Sequence, residues 1–392
     1  MPLDVASRAY VVPAGVDADT LLAFLADRFD VAADQPVSAD STVYDTVDRR
    51  LRAAGVEARR EGGGAKARLV LLEGAGAPPV VAPLDGPVRD RYLAPELPEG
   101  PLRDRLAPLL EERALLPLVE LRTVSRSVRV RNQDEKTVVR LTLSTPAVVA
   151  VPDPAQAYTG GPRRAPDGPI TLSTRVTVTG VLGYPRPLAR VDEALAGELG
   201  LQEALRPLAD EAIVALDGDP SGLGGSKVST QLAADQRTDL AAVAVLRDLA
   251  DITEANIPGT LADLDTEFLH DLRVSVRKAR SALREMKRAF VPDELEPQRA
   301  TLKWVQAITG DTRDLDLWVL EETAWTNLCR KLGVLYIVTD HDGHWGMQVR
   351  SGMPDEASLT RPVTVPMVCA ATGAAQHAAI HTAAPALRIA ST

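Results

Sequence analysis

The residues with the clearest chemical pattern are cations that recur every three or four positions between residues 269 and 290. This segment contains seven Lys or Arg and two acidic residues, which gives a local charge of +5, whereas the whole chain carries −10. Like charges one helical turn apart repel each other, so a regular series of cations predicts a polyanion lying along them. The series consists of His270, Arg273, Arg277, Arg280, Arg284 and Lys287, with Arg288 close to it and Lys278 to one side.

A helix is the element that must position this basic stripe. Apolar residues recur with the same rhythm, shifted by one position, and predict the buried seam of a helical bundle. The seam consists of Leu269, Leu272, Val276, Ala279, Leu283, Met286 and Phe290. At about 100° per residue, the stripe lies beside this seam. A second interpretation stays open, in which the cations only flank the seam and lay their long stems over apolar surface.

Two further helices are expected around the basic helix. One runs from Val228 to Asn256 and is stopped by Pro258, since proline removes a backbone donor. The other runs from about residue 296 to 308 and carries Arg299 and Lys303 one turn apart. If it packs antiparallel to the basic helix, it presents both cations to the same groove. Arg313 follows it as a further candidate contact.

Two segments of this region resemble the CHAD domain, the conserved-histidine α-helical domain. They read HDLRVSVRKARSALREMKRAF from residue 270 and WVQAITGDTRDLDLWVLE from residue 304. The resemblance covers roughly residues 230–321. It implies a helical bundle that binds inorganic polyphosphate through a basic surface to which the histidine contributes. The implied contacts are His270, Arg273, Arg277, Lys278, Arg280, Arg284, Lys287, Arg288, Arg299, Lys303 and Arg313.

The first half of the chain alternates short strand-like runs with turns and has few helices, which predicts an antiparallel, barrel-like α+β domain. Two segments resemble the CYTH, or triphosphate tunnel, family. They read YDTVDRRLRAAGVEARREGGG from residue 44 and LPLVELRTVSRSVRVRNQDEKTVVRLTL from residue 116. The resemblance implies an eight-stranded antiparallel barrel whose tunnel holds a triphosphate or polyphosphate. Inward basic residues would grip the phosphates, and inward glutamates would hold a divalent metal.

The chain departs from that family at the residues that carry catalysis. The family's Glu-x-Glu-x-Lys signature is absent, because residues 5–10 read VASRAY without a carboxylate, and residues 175–179 have none either. A hard cation such as Mg²⁺ needs oxygen ligands, usually carboxylates. We therefore expect a non-catalytic domain without cofactor or metal. A metal-dependent triphosphatase or polyphosphatase that uses Mg²⁺ or Mn²⁺ is the alternative.

Some of the basic residues that could line such a tunnel are present. Alternation along a strand places Arg122 and Arg126 on one face. Further candidates for anion binding are Arg59, Arg140 and Arg175. The alternative is that all five are ordinary surface charges.

The length of 392 residues predicts at least two domains. We assign 1–215 to the CYTH-like domain, 216–227 to a Gly-rich linker, 228–321 to the first half of a CHAD domain, and 322–392 to an atypical tail that we expect to be poorly ordered. The second His/Arg/Lys motif of the family is missing from the tail. Either the tail replaces the second half, or the reading frame is shifted or truncated there, which we favour. The incomplete bundle predicts low stability or self-association through the uncovered seam.

Composition limits the remaining possibilities. Hydrophobic residues make up 45% and charged residues 25%, which is typical of globular proteins. An isoelectric point near 5.2 argues against general binding to nucleic acid, which stays a second alternative for the basic helix alone. Two cysteines provide no disulfide framework, and neither a signal peptide nor a membrane-spanning run is evident. We expect a cytoplasmic protein, located at polyphosphate granules if polyphosphate is the ligand.

Overall fold

The computed structural model describes two compact units, 1–224 and 225–392, so the division falls within the segment predicted as a linker. The described residues are 7–13, 15–73, 78–84, 86–152, 166–223, 225–310, 312, 313 and 316, with the backbone alone of 334–341, 344–351 and 364–365. Most of the segment predicted as a tail lies outside them.

The first unit is an antiparallel sheet with short helices. Its strands are β1 (Ser7–Val11), β2 (Asp30–Ala33), β3 (Val37–Asp45), β4 (Val56–Glu61), β5 (Arg68–Glu73), β6 (Val80–Pro83), β7 (Leu116–Arg131), β8 (Thr137–Ala150), β9 (Ile170–Thr171), β10 (Arg175–Gly180) and β11 (Gln202–Glu203). Its helices are α1 (Ala18–Arg28), α2 (Arg50–Ala53), α3 (Pro101–Leu110), α4 (Pro185–Asp192) and α5 (Leu208–Ala215).

The strand order of this sheet is β11-β1-β10-β8-β7-β3-β4-β5-β6, with β2 added to β7 and β9 added to β8. The expected α+β class and the antiparallel sheet are confirmed. Among the described residues the hydrogen-bonded order is open, because β11 and β6 stand at opposite ends of it. The long pair β7 and β8 forms the centre, as the Val- and Thr-rich pattern of residues 120–145 predicts.

Three apolar clusters hold the described part of the first unit together, and one of them packs α3 against β4 and β5. On one face of the central strands, Val128, Leu141 and Val178 pack with Leu21 and Leu25 of α1. On the other face, α5 covers one end of the sheet through a cluster that consists of Val43, Leu118, Val119, Leu121, Val148, Leu172, Leu208, Ala212, Ile213 and Leu216. Helix α5 therefore covers one end of this second face.

In the second unit the structure describes the helices α6 (Thr238–Leu261), α7 (Thr266–Glu285) and α8 (Pro292–Ile308). A separate three-stranded sheet consists of β12 (Val334–His341), β13 (His344–Ser351) and β14 (Thr364–Val365). Helix α7 begins where the Asp265 carboxylate accepts hydrogen bonds from the backbone N–H groups of Glu267 (3.0 Å) and Phe268 (3.1 Å). No helix in the described part of the chain has the length and apolar content needed to cross a membrane.

The predicted limits of the first helix of this unit were wrong at both ends. The helix starts at Thr238, because the segment before it is held in another conformation by Asp248. The Asp248 carboxylate accepts hydrogen bonds from the backbone N–H groups of Ser229 (2.7 Å) and Thr230 (2.9 Å). The helix also continues past Pro258 to Leu261.

The predicted apolar seam packs as a core. From α7, Leu272, Val276, Ala279 and Leu283 contact the neighbouring helices. Their partners are Leu246, Leu249, Ile257, Leu295, Leu302 and Val305. Helices α6 and α7 also share a buried hydrogen bond between the hydroxyls of Thr253 and Ser275, 2.8 Å long. The expected helical character of this region is confirmed.

Candidate anion-binding groove

Helices α7 and α8 enclose a groove of about 510 Å³. Its walls contain five cations and one carboxylate, with two small side chains between them. The lining residues are Arg277, Arg280, Ser281, Arg284, Glu296, Arg299, Ala300 and Lys303. We call these five Arg and Lys side chains, with the space between them, the basic groove.

Helical periodicity explains why these cations meet. Arg277, Arg280 and Arg284 follow one another at one-turn intervals on α7, and Arg299 and Lys303 do so on α8. A short turn containing residues 287–289 joins the two helices, so that both cationic rows border the same apolar contact. The structure therefore places Arg299 and Lys303 beside the stripe, the arrangement expected for an antiparallel pair.

The charges of the groove are poorly compensated. Arg299 pairs with Glu296 at 2.6 Å, and Arg284 pairs with the exposed Glu285 at 3.0 Å. Within the described part of the chain, no carboxylate lies within 4.0 Å of Arg277, Arg280 or Lys303. Exposed pairs contribute little attraction in water, so repulsion among the five cations is largely unopposed. Such a surface favours an anion with several charges.

Arg273 belongs to the predicted stripe but takes another role. Its guanidinium donates to the backbone carbonyl of Gln306 (2.8 Å) and to the hydroxyl of Thr309 (2.7 Å). These acceptors lie at the C-terminal end of α8, where backbone carbonyls lack helical partners. Arg273 thus ties α7 to the end of α8 and fixes the spacing of the two groove walls.

His270 forms a second small cluster with Arg313. One guanidinium nitrogen of Arg313 lies 3.1 Å from His270 Nδ1, and another donates to the carbonyl of Thr266 at 3.2 Å. Since arginine can only donate, Nδ1 acts as the acceptor and the neutral ring carries its proton on Nε2. Neither residue lines the basic groove.

The same cluster contains the group of residues that best fits a metal ion in the described chain. One ligand atom each from Glu267, His270 and Asp271 lie within 4.8 Å of one another. The guanidinium of Arg313 already occupies His270 Nδ1, and its positive charge disfavours a nearby cation. We therefore assign no metal to this group.

The remaining cations of the stripe lie outside the groove. Lys278 donates from Nζ to the carbonyl of Ser226 at 2.6 Å. Lys287 and Arg288 are exposed in the turn that follows α7. None of these three lines the cavity between α7 and α8.

The five arginines expected in the first unit do not converge on one site. Four of them contact acidic side chains of the same unit: Arg59 pairs with Glu57, Arg122 with Asp40 (2.8 Å), Arg126 with Asp19 (2.9 Å) and Arg175 with Glu211 (2.9 Å). Arg140 is exposed and lies opposite Arg129 and Thr179 in the sheet. By the strand register, Arg122 and Arg126 project from the face opposite to that of Arg140 and Arg175.

Hydroxyl groups occupy the sheet face opposite to that of Arg122 and Arg126. On β1, Ser7 and Ala9 stand opposite Thr179 and Thr177 of β10. The hydroxyl strip continues across the neighbouring strands, where it consists of Thr142, Ser144, Ser125 and Ser127. On the four strands β1, β10, β8 and β7, this face carries no carboxylate. The strip can donate hydrogen bonds, but it offers no ligand set for a hard divalent cation.

Two functional features were missed by the sequence analysis. Glu296 enters the basic groove, and its place one turn before Arg299 could have indicated this. Arg49, which the sequence analysis did not single out, is buried beside a cavity of the first unit. The residues around it form no pattern that predicts its burial.

Comparison with known proteins supports part of this picture. The CHAD domain family matches residues 244–383, which include α7, α8 and much of the segment predicted as an atypical tail. The search of curated proteins gave no match.

Solved structures align with the first half of the chain. The PH1819 protein of Pyrococcus horikoshii OT3 is 10% identical with a TM-score of 0.29, and covers 54% of this chain and 98% of its own. An adenylyl cyclase candidate of Hippeastrum, described as having a dominant triphosphatase activity, is 12% identical with a TM-score of 0.30, and covers 53% and 94%. We draw no conclusion from likenesses at this level. The family match is confined to the second unit, where the CHAD domain model matches residues 244–383.

Proposed function

We propose that the protein binds inorganic polyphosphate in the basic groove and does not hydrolyse it. The observation that carries the proposal is a groove of about 510 Å³ whose walls hold five cations and one carboxylate. Three of the cations, Arg277, Arg280 and Lys303, have no ion-pair partner among the described residues. The match to the CHAD domain supports a role connected with polyphosphate.

Polyphosphate fits this arrangement because its charges are closely and evenly spaced along a flexible chain. Each Arg or Lys can give charge-assisted hydrogen bonds to phosphate oxygens, worth roughly 1.5–3 kcal/mol apiece before entropic costs. Binding should weaken steeply as salt is added, since the polyanion releases counterions when it binds. Duplex DNA is a poorer candidate, because the groove lining is dominated by cations suited to phosphates and contains no Asn or Gln to read adenine.

A binding titration of the full chain with long-chain polyphosphate tests the proposal. We expect saturable binding at low ionic strength that weakens with added salt. Labelled polyphosphate should resist competition by duplex DNA at a fixed salt concentration. Absence of binding in dilute buffer, or displacement by equal charge concentrations of DNA, would contradict the proposal. Bound protein would be expected to concentrate at polyphosphate granules.

Removal of the groove carboxylate should strengthen binding. Glu296 holds Arg299 at 2.6 Å and adds the one negative charge that the ligand must face in the groove. The Glu296→Gln substitution frees this arginine, so we expect affinity for long-chain polyphosphate to rise several-fold. Glu294→Gln is the matched control, because it makes the same charge change on α8 outside the groove. Equal increases in both variants would show a general charge effect.

The enzymatic alternative is tested by phosphate release from tripolyphosphate with Mg²⁺ or Mn²⁺. We expect none above the protein-free rate. The reason is that β1 and β10 contain no carboxylate that could hold a divalent metal. Release that depends on metal and disappears when Arg59 or Arg175 is substituted would establish the alternative.

A further inference from the structure

The first unit contains a cavity of about 250 Å³ between α2, β4 and α5. Apolar side chains form most of its wall: Tyr44, Val43, Val56, Leu72, Leu118, Pro207, Ala209 and Ile213. Its charged residues are three arginines and three acids, which are Asp45, Arg49, Arg52, Glu57, Arg59 and Asp210. The cavity is smaller than the pockets that typically hold drug-sized molecules, so it suits a small ligand.

Four of the six charged side chains neutralise one another. The Nε of Arg52 donates to both carboxylate oxygens of Asp210, at 2.8 and 2.9 Å. The Nε of Arg59 donates to one carboxylate oxygen, Oε1, of Glu57. These two pairs leave no net charge for a ligand, and they shape the rim of the cavity.

Arg49 is different, because its charge is buried without hydrogen bonds. Its residue is 2% exposed, and none of its three guanidinium nitrogens has a hydrogen-bond partner among the described residues. Gly222 closes over the side chain: it has a φ of +72°, and a Cβ there would lie 2.7 Å from Arg49 Cγ. A buried cation without hydrogen bonds is strongly unfavourable. Arg49 therefore lowers the stability of the unit unless another group accepts hydrogen bonds from its guanidinium.

Asp45 is the acidic group with the strongest influence on Arg49, but it does not bond to it. Its carboxylate accepts hydrogen bonds from the backbone N–H groups of Thr46 (2.7 Å), Leu51 (2.9 Å) and Arg52 (3.1 Å). Burial raises the pKa of Asp45 to about 6, against the lowering effect of Arg49 and these donors. Asp45 therefore anchors the start of α2 and leaves the guanidinium donors of Arg49 unused.

We propose that this cavity binds a small organic anion, a carboxylate or phosphate monoester with a compact apolar body, through the guanidinium of Arg49. A planar guanidinium matches carboxylate and phosphate oxygens in paired hydrogen bonds. The apolar wall, which includes Val43, Leu118 and Ile213, would contact the body of the ligand. This site differs from the basic groove, which is open, polar and multiply charged. It does not depend on the proposed binding of polyphosphate.

Thermal unfolding of the full chain with benzoate, phenyl phosphate or inorganic phosphate, at constant ionic strength, tests this inference. The wild-type unfolding temperature should rise with benzoate or phenyl phosphate, because a ligand of the folded state stabilises it. Arg49→Met should abolish the rise. Without ligand, this variant should unfold at the same or a higher temperature, since it lacks the unpaired buried charge.

Arg50→Met is the matched control. Arg50 is the neighbouring residue, and its side chain bonds to Asp48, Glu111 and the carbonyl of Leu110 outside the cavity. Its loss should lower the unfolding temperature but preserve the shift caused by the ligand. No shift of the wild type with any of the three anions overturns the inference, as does an equal shift in Arg49→Met. If the unfolding temperature of the wild type rises with only one of benzoate and phenyl phosphate, that ligand identifies the preferred anionic group.

Discussion

Replacing Arg277 and Arg280 together by alanine should lower the affinity for long-chain polyphosphate by at least about 100-fold. Both side chains line the basic groove, and neither has a carboxylate within ion-pair distance among the described residues. Two lost charge-assisted contacts of roughly 1.5–3 kcal/mol each correspond to this factor or more. Equilibrium titration with fluorescent polyphosphate at one fixed salt concentration measures the change. The slope of log affinity against log salt should also decrease, because fewer counterions are displaced.

A second double variant separates site binding from net charge. The combination of Lys278→Ala and Arg247→Ala also removes two positive charges from the helical unit, but on surfaces away from the groove. Lys278 bonds to the Ser226 carbonyl, and Arg247 is exposed on α6. We expect a loss of less than about threefold, as for charges acting at a distance through salt solution. Similar losses of affinity in the two double variants would show that polyphosphate is attracted by a diffuse positive surface and not by the groove.

Gly259→Ala should strongly destabilise the helical unit. Gly259 lies on α6, and a Cβ there would come within 2.3 Å of the ring of Phe268 on α7. Phe268 is fully buried, so its ring can move aside only by disturbing the contact between the two helices. Overpacking of this kind costs about 1–3 kcal/mol. Chemical denaturation followed by circular dichroism should show the corresponding decrease in the free energy of unfolding.

Two companion variants make this result specific. Gly310→Ala introduces the same methyl group where nothing lies within 4 Å, and should leave stability nearly unchanged. Adding Phe268→Leu to Gly259→Ala should recover part of the loss, because the smaller side chain makes room for the methyl group. If Gly259→Ala unfolds like the wild type, the close packing of α6 against α7 described for Phe268 is incorrect.

Periodicity made the helical unit largely predictable from sequence. The seam from Leu272 to Leu283 has to be buried, and geometry then places the cations of α7 along its border. The position of Arg299 and Lys303 follows from a short turn between two antiparallel helices. These are local relations, in which each side chain is placed by residues a few positions away.

The unpredicted features depend on contacts between residues far apart in sequence. Arg273 and Arg277 occupy equivalent positions one turn apart, yet only Arg273 meets the end of α8 and bonds to Gln306. Arg49 is buried because Gly222, far along the chain, closes over it. The carboxylates that bind Arg122 and Arg126 come from β3 and α1, and no spacing rule assigns them. Sequence patterns could place these residues on elements but could not choose their partners.

The three helices of the second unit have a consequence for the timing of ligand capture. Both walls of the basic groove, the α6 surface that supports them and the Arg273 anchor at Thr309 are encoded between residues 238 and 309. Contacts between neighbouring helices form quickly because little chain entropy is lost in joining them. A ribosome-bound chain that has exposed these residues thus holds every described part of the groove before the residues after 309 are needed.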